Sequence, residues 1–376
     1  MTEIRQVTTR EDAELFIRLP YRLYSGNAQW VPPLRKTERR LFDPSQNPAY
    51  RFCEVRRWVA IGDDGRCRGR VAAIVNHKWI EKTGDPIGRI SRFESEDDDG
   101  VAHGLLSSAE GWLRSCGMSF AAGPLGFSNL DQQGLTVAGF DRMAAFGSSL
   151  TQPYYLGMFT REGYEPLQDW YEYRLTVPFT VPPKVKAIAA AARERFGLRL
   201  RTFSTLDELK KAAPSLMTLF DQNFATLFGT YPFDDDMKSY YTDMFLDSLD
   251  HKFVVAAEDV RAGGEPVGFI VAMPSVVKPL RRAWGDIGIL DAVNLWAEMK
   301  RAKEAEILLA AVSPGARRRG AFSLLIECLI ERMSERGIRH VETTAILSNN
   351  DRAASIVKEF THERHKRKLC LIKEIR

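Results

Sequence analysis

One order of local patterns occurs twice along the 376-residue chain, once on each side of the proline-rich segment PFTVPPKVK. Any fold must accommodate that duplication. In the first half the alternating segment EIRQVTT precedes an acidic stretch, REDAELFIRLP, predicted to form a helix that stops before Pro20. Two apolar runs, RRWVAIG and GRVAAIVN, flank the turn-forming DDGRCR and predict a hairpin. GRISRFES predicts another strand. VAHGLLSSAEGWLRSCG then places Val101, Leu105, Leu106, Ala109, Trp112 and Leu113 at helical spacing, with Gly117 as a left-handed C-cap. MSFAAGPLGFS predicts a buried strand entering a glycine-marked loop, YYLGMFTREGY a helix and WYEYRLTV a strand.

The prolines of PFTVPPKVK suit a semi-rigid connection, and the alanine-rich KAIAAAARERFG after them reads as a helix. The order then recurs: strand LRLRTF, helix STLDELKKAA, strands KFVVAAED and VGFIVAMP around VRAGGEP, and strand EILLAAVS. Helix RGAFSLLIECLIERMSERG, strand IRHVETTAI, a short helix from Asn350 and a last strand KLCLIKEI complete it. The halves share pattern with little residue identity, which predicts two related domains in tandem, of α/β class with a mixed sheet (α+β). The expected boundaries are 1–177 for the N-terminal domain, 178–197 for the linker and its helix, and 198–376 for the C-terminal domain. Length agrees, since 376 residues exceed the usual size of one core.

Fifty-three Lys plus Arg against 49 Asp plus Glu leave a net charge of only +4, too little to argue for nucleic acid. Any anion site must be local. Cys53, Cys67, Cys116, Cys328 and Cys370 are odd in number and far apart, which fits reduced thiols in a cytoplasm. The polar start MTEIRQVTTREDAELF and the lack of an 18-residue apolar run argue against a secretory signal and a membrane span. No His, Cys or carboxylate group has metal-ligand spacing, so no metal is expected.

The sharpest local signal is Val312-Ser313-Pro314-Gly315-Ala316-Arg317-Arg318-Arg319-Gly320-Ala321, between a strand and an amphipathic helix. Such a turn offers free backbone N–H groups, the positive end of a helix dipole and guanidinium groups, and a pyrophosphate suits it. A solvated basic turn in which Gly320 permits close packing is the alternative of about equal weight.

With its surroundings this motif resembles the acyl-CoA loop of the GNAT superfamily of N-acyltransferases: Arg or Gln, two residues, Gly, one residue, then Gly or Ala. Arg317 and Gly320 match, whereas Phe322 stands where the last small residue belongs. Ala305 to Val312 looks like the superfamily's fourth strand, and Asn350-Asp351-Arg352-Ala353 like its Asn-x-x-Ala helix start. The resemblance implies acyl-CoA as co-substrate, held by Val312, Arg317, Arg318, Arg319, Gly320, Ala321, Phe322 and Asn350. LPYRLYSGNAQWVPPL, NPAYRF, FESEDDD, AGPLGFSN and VGFIVAMPSVVKPLRR extend the likeness to a bacterial family of two-domain GNAT-like proteins over nearly the whole chain. Some relatives of that type are associated with bacterial ceramide synthesis, which implies a sphingoid amine as one acceptor.

Acyl transfer to an amine needs a base and stabilisation of the oxyanion. The resemblance points to Glu306 as base, with Glu304 as neighbouring alternative and a solvated edge residue as the plainer reading. The superfamily's tyrosine acid falls on Val357, so the thiolate's proton donor stays unassigned. His340 reads as an ordinary strand residue and Cys328 as an inert core thiol. THERHKRK, with His362 and His365, reads as a solvated basic turn, with CoA phosphate or an anionic membrane as alternatives. The first half lacks a basic glycine loop and carries the acidic run Glu94 to Asp99 instead, so it is expected without cofactor. Its loop GPLGFSNLDQQG offers Asn129 and Asp131 either as polar residues of an acceptor pocket or as parts of a structural turn. Aromatic FATLFGTYPF and SYYTDMF suit either an apolar channel or plain core.

The leading expectation is an acyl-CoA-dependent N-acyltransferase whose partners are acyl-CoA and an amine acceptor, cytoplasmic, with peripheral contact at the inner membrane face left open. A non-catalytic GNAT-fold ligand-binding or interaction protein is the alternative, and nucleic-acid binding ranks third.

Overall fold

The computed structural model describes residues 2–246 and 249–376. The first half runs β1 (Thr2–Gln6), α1 (Arg10–Leu23), α2 (Arg35–Leu41), β2 (Cys53–Gly62), β3 (Cys67–Asn76), α3 (His77–Thr83), β4 (Ile87–Ser95) and α4 (Asp99–Ser115). It continues with β5 (Phe120–Gly123), β6 (Leu135–Ala138), α5 (Tyr155–Arg161) and β7 (Glu165–Thr176). After α6 (Pro183–Glu194) come β8 (Leu198–Thr202), α7 (Leu206–Phe224), α8 (Asp235–Leu246), β9 (Val254–Asp259), β10 (Glu265–Pro274), α9 (Val277–Ala283) and α10 (Ile289–Arg301). The chain closes with β11 (Glu304–Val312), α11 (Pro314–Arg318), α12 (Ala321–Glu335), β12 (His340–Thr343), β13 (Ile346–Leu347), α13 (Asp351–Val357) and β14 (His362–Glu374).

Among the described residues fourteen strands join one mixed sheet, ordered β1-β2-β3-β4-β5-β14-β7-β12-β11-β10-β9-β8, with β13 on β7 and β6 on β14. Each half repeats antiparallel strands followed by one parallel pair, β4 with β5 and β11 with β12. The strand beside each parallel pair comes from the other half: β14 lies antiparallel to β5, and β7 lies antiparallel to β12. Segments 1–177 and 198–376 thus exchange their last strands. On one face of the first half, Leu105 and Leu106 of α4 pack with Val71 and Ala73; in the second half, α6 and α12 pack Ala189, Leu324 and Leu325 with Val255 and Ile270. Another core draws on both halves, joining Phe16, Phe42 and Phe127 to Phe220, Met237 and Tyr241.

Three local expectations are corrected. Pro20 lies inside α1 instead of ending it. A proline cannot donate to the carbonyl four residues back, and the buried Arg70 guanidinium takes that place, donating to Phe16 O at 2.8 Å. THERHKRK is no solvated turn, because it forms the start of β14 with Lys366 and Lys368 buried. IRHVETTAI is broken after Thr343 into β12 and β13, and that break opens the site.

Candidate active site

β11 and β12 run side by side from Glu304↔His340 to Ile307↔Thr343 and then part. Thr344 is the last tie, its N–H on Ile307 O and its hydroxyl on Leu308 O, both at 3.2 Å. Leu309 to Val312 pair only with β10, so the edge of β11 towards β12 is open. A predominantly apolar cavity of about 340 Å³ occupies this wedge. The second half contributes Ile307 to Ala310, Phe322, Asn350, Ala353, Val357, Tyr241 and Lys368 to its wall; the first contributes Asn129, Asp131, Phe146, Ser148 and Ser149.

The basic loop divides its arginines. Arg317 turns inward, donating through Nε to Val312 O at 2.6 Å and through Nη2 to Asn223 Oδ1 at 3.1 Å. Burial holds its pKa below the usual arginine value, and the nearby Arg352 cation adds to that. Arg318 is exposed. Arg319, expected at the cofactor, is instead engaged by Asp259 at the end of β9, whose carboxyl it holds below the usual range. Gly320 has φ +82°, and a Cβ there would stand 2.8 Å from Ile188 Cγ2 on α6, so close packing alone demands glycine. It begins α12 without any side-chain cap, and the first turn of a helix leaves N–H groups free for an anion. Ala321 is core, Phe322 lines the cavity, and Asn350 caps α13 by accepting from Ala353 N at 3.2 Å while also lining the cavity. An acyl-CoA fits this set: free N–H groups and Arg317 with Arg352 suit its phosphates, and the open β11 edge suits the amides of its pantetheine arm.

Glu306 is 2% exposed. Ser275 Oγ donates to Oε1 at 2.9 Å and the backbone N–H of Phe146 donates to Oε2. Burial pushes its pKa up to about 7; the two hydrogen bonds and Lys366 oppose the rise and the Glu342 carboxylate adds to it. Glu306 does not itself line the cavity, although Ile307 beside it and Phe146 bonded to it do. The alternative Glu304 is a half-exposed partner of Arg174 at 2.6 Å. Asp131 accepts from Ser128 N at 3.0 Å and from the Tyr241 hydroxyl at 3.3 Å, and burial raises its pKa. Asn129 O accepts from Gln133 Nε2 at 2.8 Å.

Sequence reasoning missed the buried charges under this wall. Lys366 Nζ lies 3.0 Å from Glu172 Oε2 and also bonds Glu342, and His365 Nε2 is 3.0 Å from Glu342 Oε1. Lys368 lines the cavity and holds Ser149 through its carbonyl and its hydroxyl, while Ser148 Oγ donates to Glu172 Oε1. Burial lowers the Lys368 pKa to about 8, Glu172 opposing and Lys366 reinforcing. The alternation Lys366, Lys368, Cys370 was the available signal, because inward lysines on a strand require a carboxylate opposite, and Glu172 is the register partner of Lys366. Among the described residues no cluster of three or more His, Cys, Asp or Glu is disposed to hold a metal. No described helix is long and apolar enough to cross a membrane.

In the first half the equivalent places are filled. The N-terminus of α4 is capped by Asp98, whose carboxylate accepts from Gly100 N at 2.8 Å and Val101 N at 3.1 Å. Arg89, the third residue of the β4 side of the parallel pair as Glu306 is of the β11 side, is fully buried and donates to the carbonyls of Gly126, Phe127 and Gly229.

Residues 214–360 match the acetyltransferase (GNAT) family. Over 99% of this chain and 95% of the other, the sequence is 25% identical to protein YghO of Escherichia coli. It is 27% identical to the bacterial ceramide synthase of Caulobacter vibrioides over 81% of this chain and 79% of that one. A tandem GNAT protein from the clavulanic acid biosynthesis pathway superposes with a TM-score of 0.56 at 15% identity, covering 100% of this chain and 99% of that one. The chain thus has the fold of a tandem GNAT protein, and its residues 214–360 match the GNAT family.

Proposed function

We propose that the chain uses acyl-CoA as donor and acylates a primary amine, with a long-chain amine of sphingoid type as acceptor. The cavity is the observation that carries this reading: an apolar chamber at the strand splay, bordered by an uncapped helix start and by a buried carboxylate of near-neutral pKa. Its apolar wall, drawn from both halves, suits an alkyl chain, and the likeness to a ceramide synthase supports the same acceptor.

The acceptor's neutral nitrogen attacks the thioester carbonyl carbon, and collapse of the tetrahedral intermediate breaks the C–S bond. Glu306 receives the amine's proton through one relaying water, since its carboxylate stands just outside the cavity wall. Val357 offers no proton, so the leaving thiolate takes one from solvent. Arg317 and the first turn of α12 bind the pyrophosphate, and Asn350 borders the pantetheine arm. The segment 1–177 supplies acceptor wall, including Asn129 and Asp131, and no second donor site. Asp98 and Arg89 support that division because both occupy places an acyl-CoA needs.

Calorimetry with acetyl-CoA and a long-chain acyl-CoA, followed by release of CoA thiol on adding sphinganine or a short amine, tests the reading. Release with sphinganine is the expected result. Saturable donor binding without release for any amine leaves a non-catalytic ligand-binding module, and no binding of either thioester removes the acyltransferase reading.

A further inference from the structure

We infer that α10 docks the protein on an anionic lipid bilayer. Leu290 is 79% exposed, Val293 61% and Trp296 60%, and Ile287 just before the helix is 37% exposed. Residues three apart share one helix face, so Leu290, Val293 and Trp296 form a continuous apolar ridge in water. A soluble domain rarely leaves such a ridge without a use.

The charges around it are one-sided. Asp286 is bound by Arg35, Asp291 accepts from Gly288 N at 3.0 Å, and Glu298 pairs with Arg282 at 2.6 Å. Lys278, Arg281, Lys300 and Arg301 have no carboxylate partner among the described residues, and Lys300 Nζ stands 3.4 Å from the centre of the Trp296 ring. Apolar residues flanked by free cations, with tryptophan among them, suit the headgroup region of an anionic bilayer. A protein partner of matching shape would be expected to answer the ridge without needing the surplus of cations.

The opposite face of α10 ties the surface to the site. Leu295 and Met299 pack against a cluster that holds Val277 and Leu280 of α9 together with Leu308 of β11, and Leu308 lines the cavity. A bilayer held against α10 therefore lies on the side of the molecule whose apolar core includes a wall residue of the acceptor space. The docking itself does not rest on the proposed acceptor.

Co-sedimentation of the full chain with vesicles of phosphatidylglycerol and phosphatidylcholine in equal parts, against phosphatidylcholine alone, tests it. The anionic vesicles should bind the protein, and added salt should weaken binding. The Leu290→Glu, Trp296→Glu double variant should bind roughly tenfold more weakly or worse, with acyl-CoA affinity unchanged as the control for folding. Lys300→Gln with Arg301→Gln should reduce the preference for anionic vesicles. Absence of binding, or binding undiminished in the double variant, overturns the inference. So does a dimer that the double variant dissolves, with no vesicle binding, which would make the ridge a protein interface. If docking fails while CoA is still released with a short soluble amine, this inference falls alone. If docking holds and no amine releases CoA, the acyltransferase reading falls alone.

Discussion

Arg89 and Glu306 occupy the same register position in the two halves, each the third residue of the first strand of a parallel pair. Glu306 keeps a near-neutral carboxyl beside an open wedge, whereas Arg89 spends its guanidinium on the carbonyls of Gly126, Phe127 and Gly229.

Replacing Arg89 should therefore act on stability and leave donor binding alone. Arg89→Met strands three buried carbonyls, and a loss of more than about 2 kcal/mol is expected from unmet hydrogen bonds. Urea unfolding with parallel acyl-CoA titration checks this. A drop in acyl-CoA affinity without loss of stability would place a donor site in the first half.

Glu306→Gln should divide activity from stability. As a base, Glu306 works deprotonated, so turnover of the native protein should rise with pH through about 7 and the variant should be slower by roughly a hundredfold or more. Its folded pKa lies above the usual 4.5, so between those values the folded state holds a proton that the unfolded state has released. Stability then falls as pH rises from about 4.5 to about 7. Glutamine removes that penalty and should stabilise the protein at pH 8 by up to about 3 kcal/mol. Undiminished turnover near neutral pH would remove Glu306 from the role.

Arg317 and Arg319, adjacent in one motif, should respond differently. Arg317→Ala should weaken acyl-CoA binding about tenfold or more, the worth of a charge-assisted contact to phosphate. Arg319→Ala frees the buried Asp259 and should lower the melting temperature with acyl-CoA affinity within about twofold. Asp259, held below its usual pKa by Arg319, adds stability above its unfolded pKa that is lost as pH falls through the folded one; the variant should lose that acid-side dependence. Equal effects of both substitutions on affinity would show that the loop rearranges around the donor.

Those differences mark where the sequence stopped being legible. Periodicity carried the hairpin at 53–76, helix α4 with Gly117 after it, and the strand–loop–helix run from Glu304 to Glu335, because each is fixed by its own residues. Arg319 was read with Arg317 because spacing cannot tell which way a guanidinium turns, and Asp259 lies sixty residues away. For residues 275–303 the sequence predicted no helix or strand: α10 points apolar residues both inward and outward, so its pattern lacks the polar face that marks an ordinary surface helix. Lys366 and Lys368 read as solvated because their partner, Glu172, stands on a strand contributed by the other half. Strand exchange itself leaves no local trace, since β7 and β14 have the same composition whichever sheet edge they join.

That exchange predicts that the halves cannot be separated. Cutting at the linker between 178 and 197 leaves the first segment without β14, which fills the place between β5 and β7. It also strands Glu172, fully buried, whose pKa is raised by burial and brought net below the usual value by Lys366 and Lys368. Exposed sheet edges and an unpaired buried carboxylate both favour aggregation over folding. Segments 1–177 and 178–376 made separately should therefore be insoluble or unfolded by circular dichroism, and made together they should co-purify as one complex with native acyl-CoA affinity. Glu172→Gln should impair that reassembly by removing the charge that Lys366 and Lys368 answer. A monomeric, cooperatively unfolding 1–177 segment would show that each half can close its own sheet, and that the shared strands are a consequence of linkage and not a requirement of the fold.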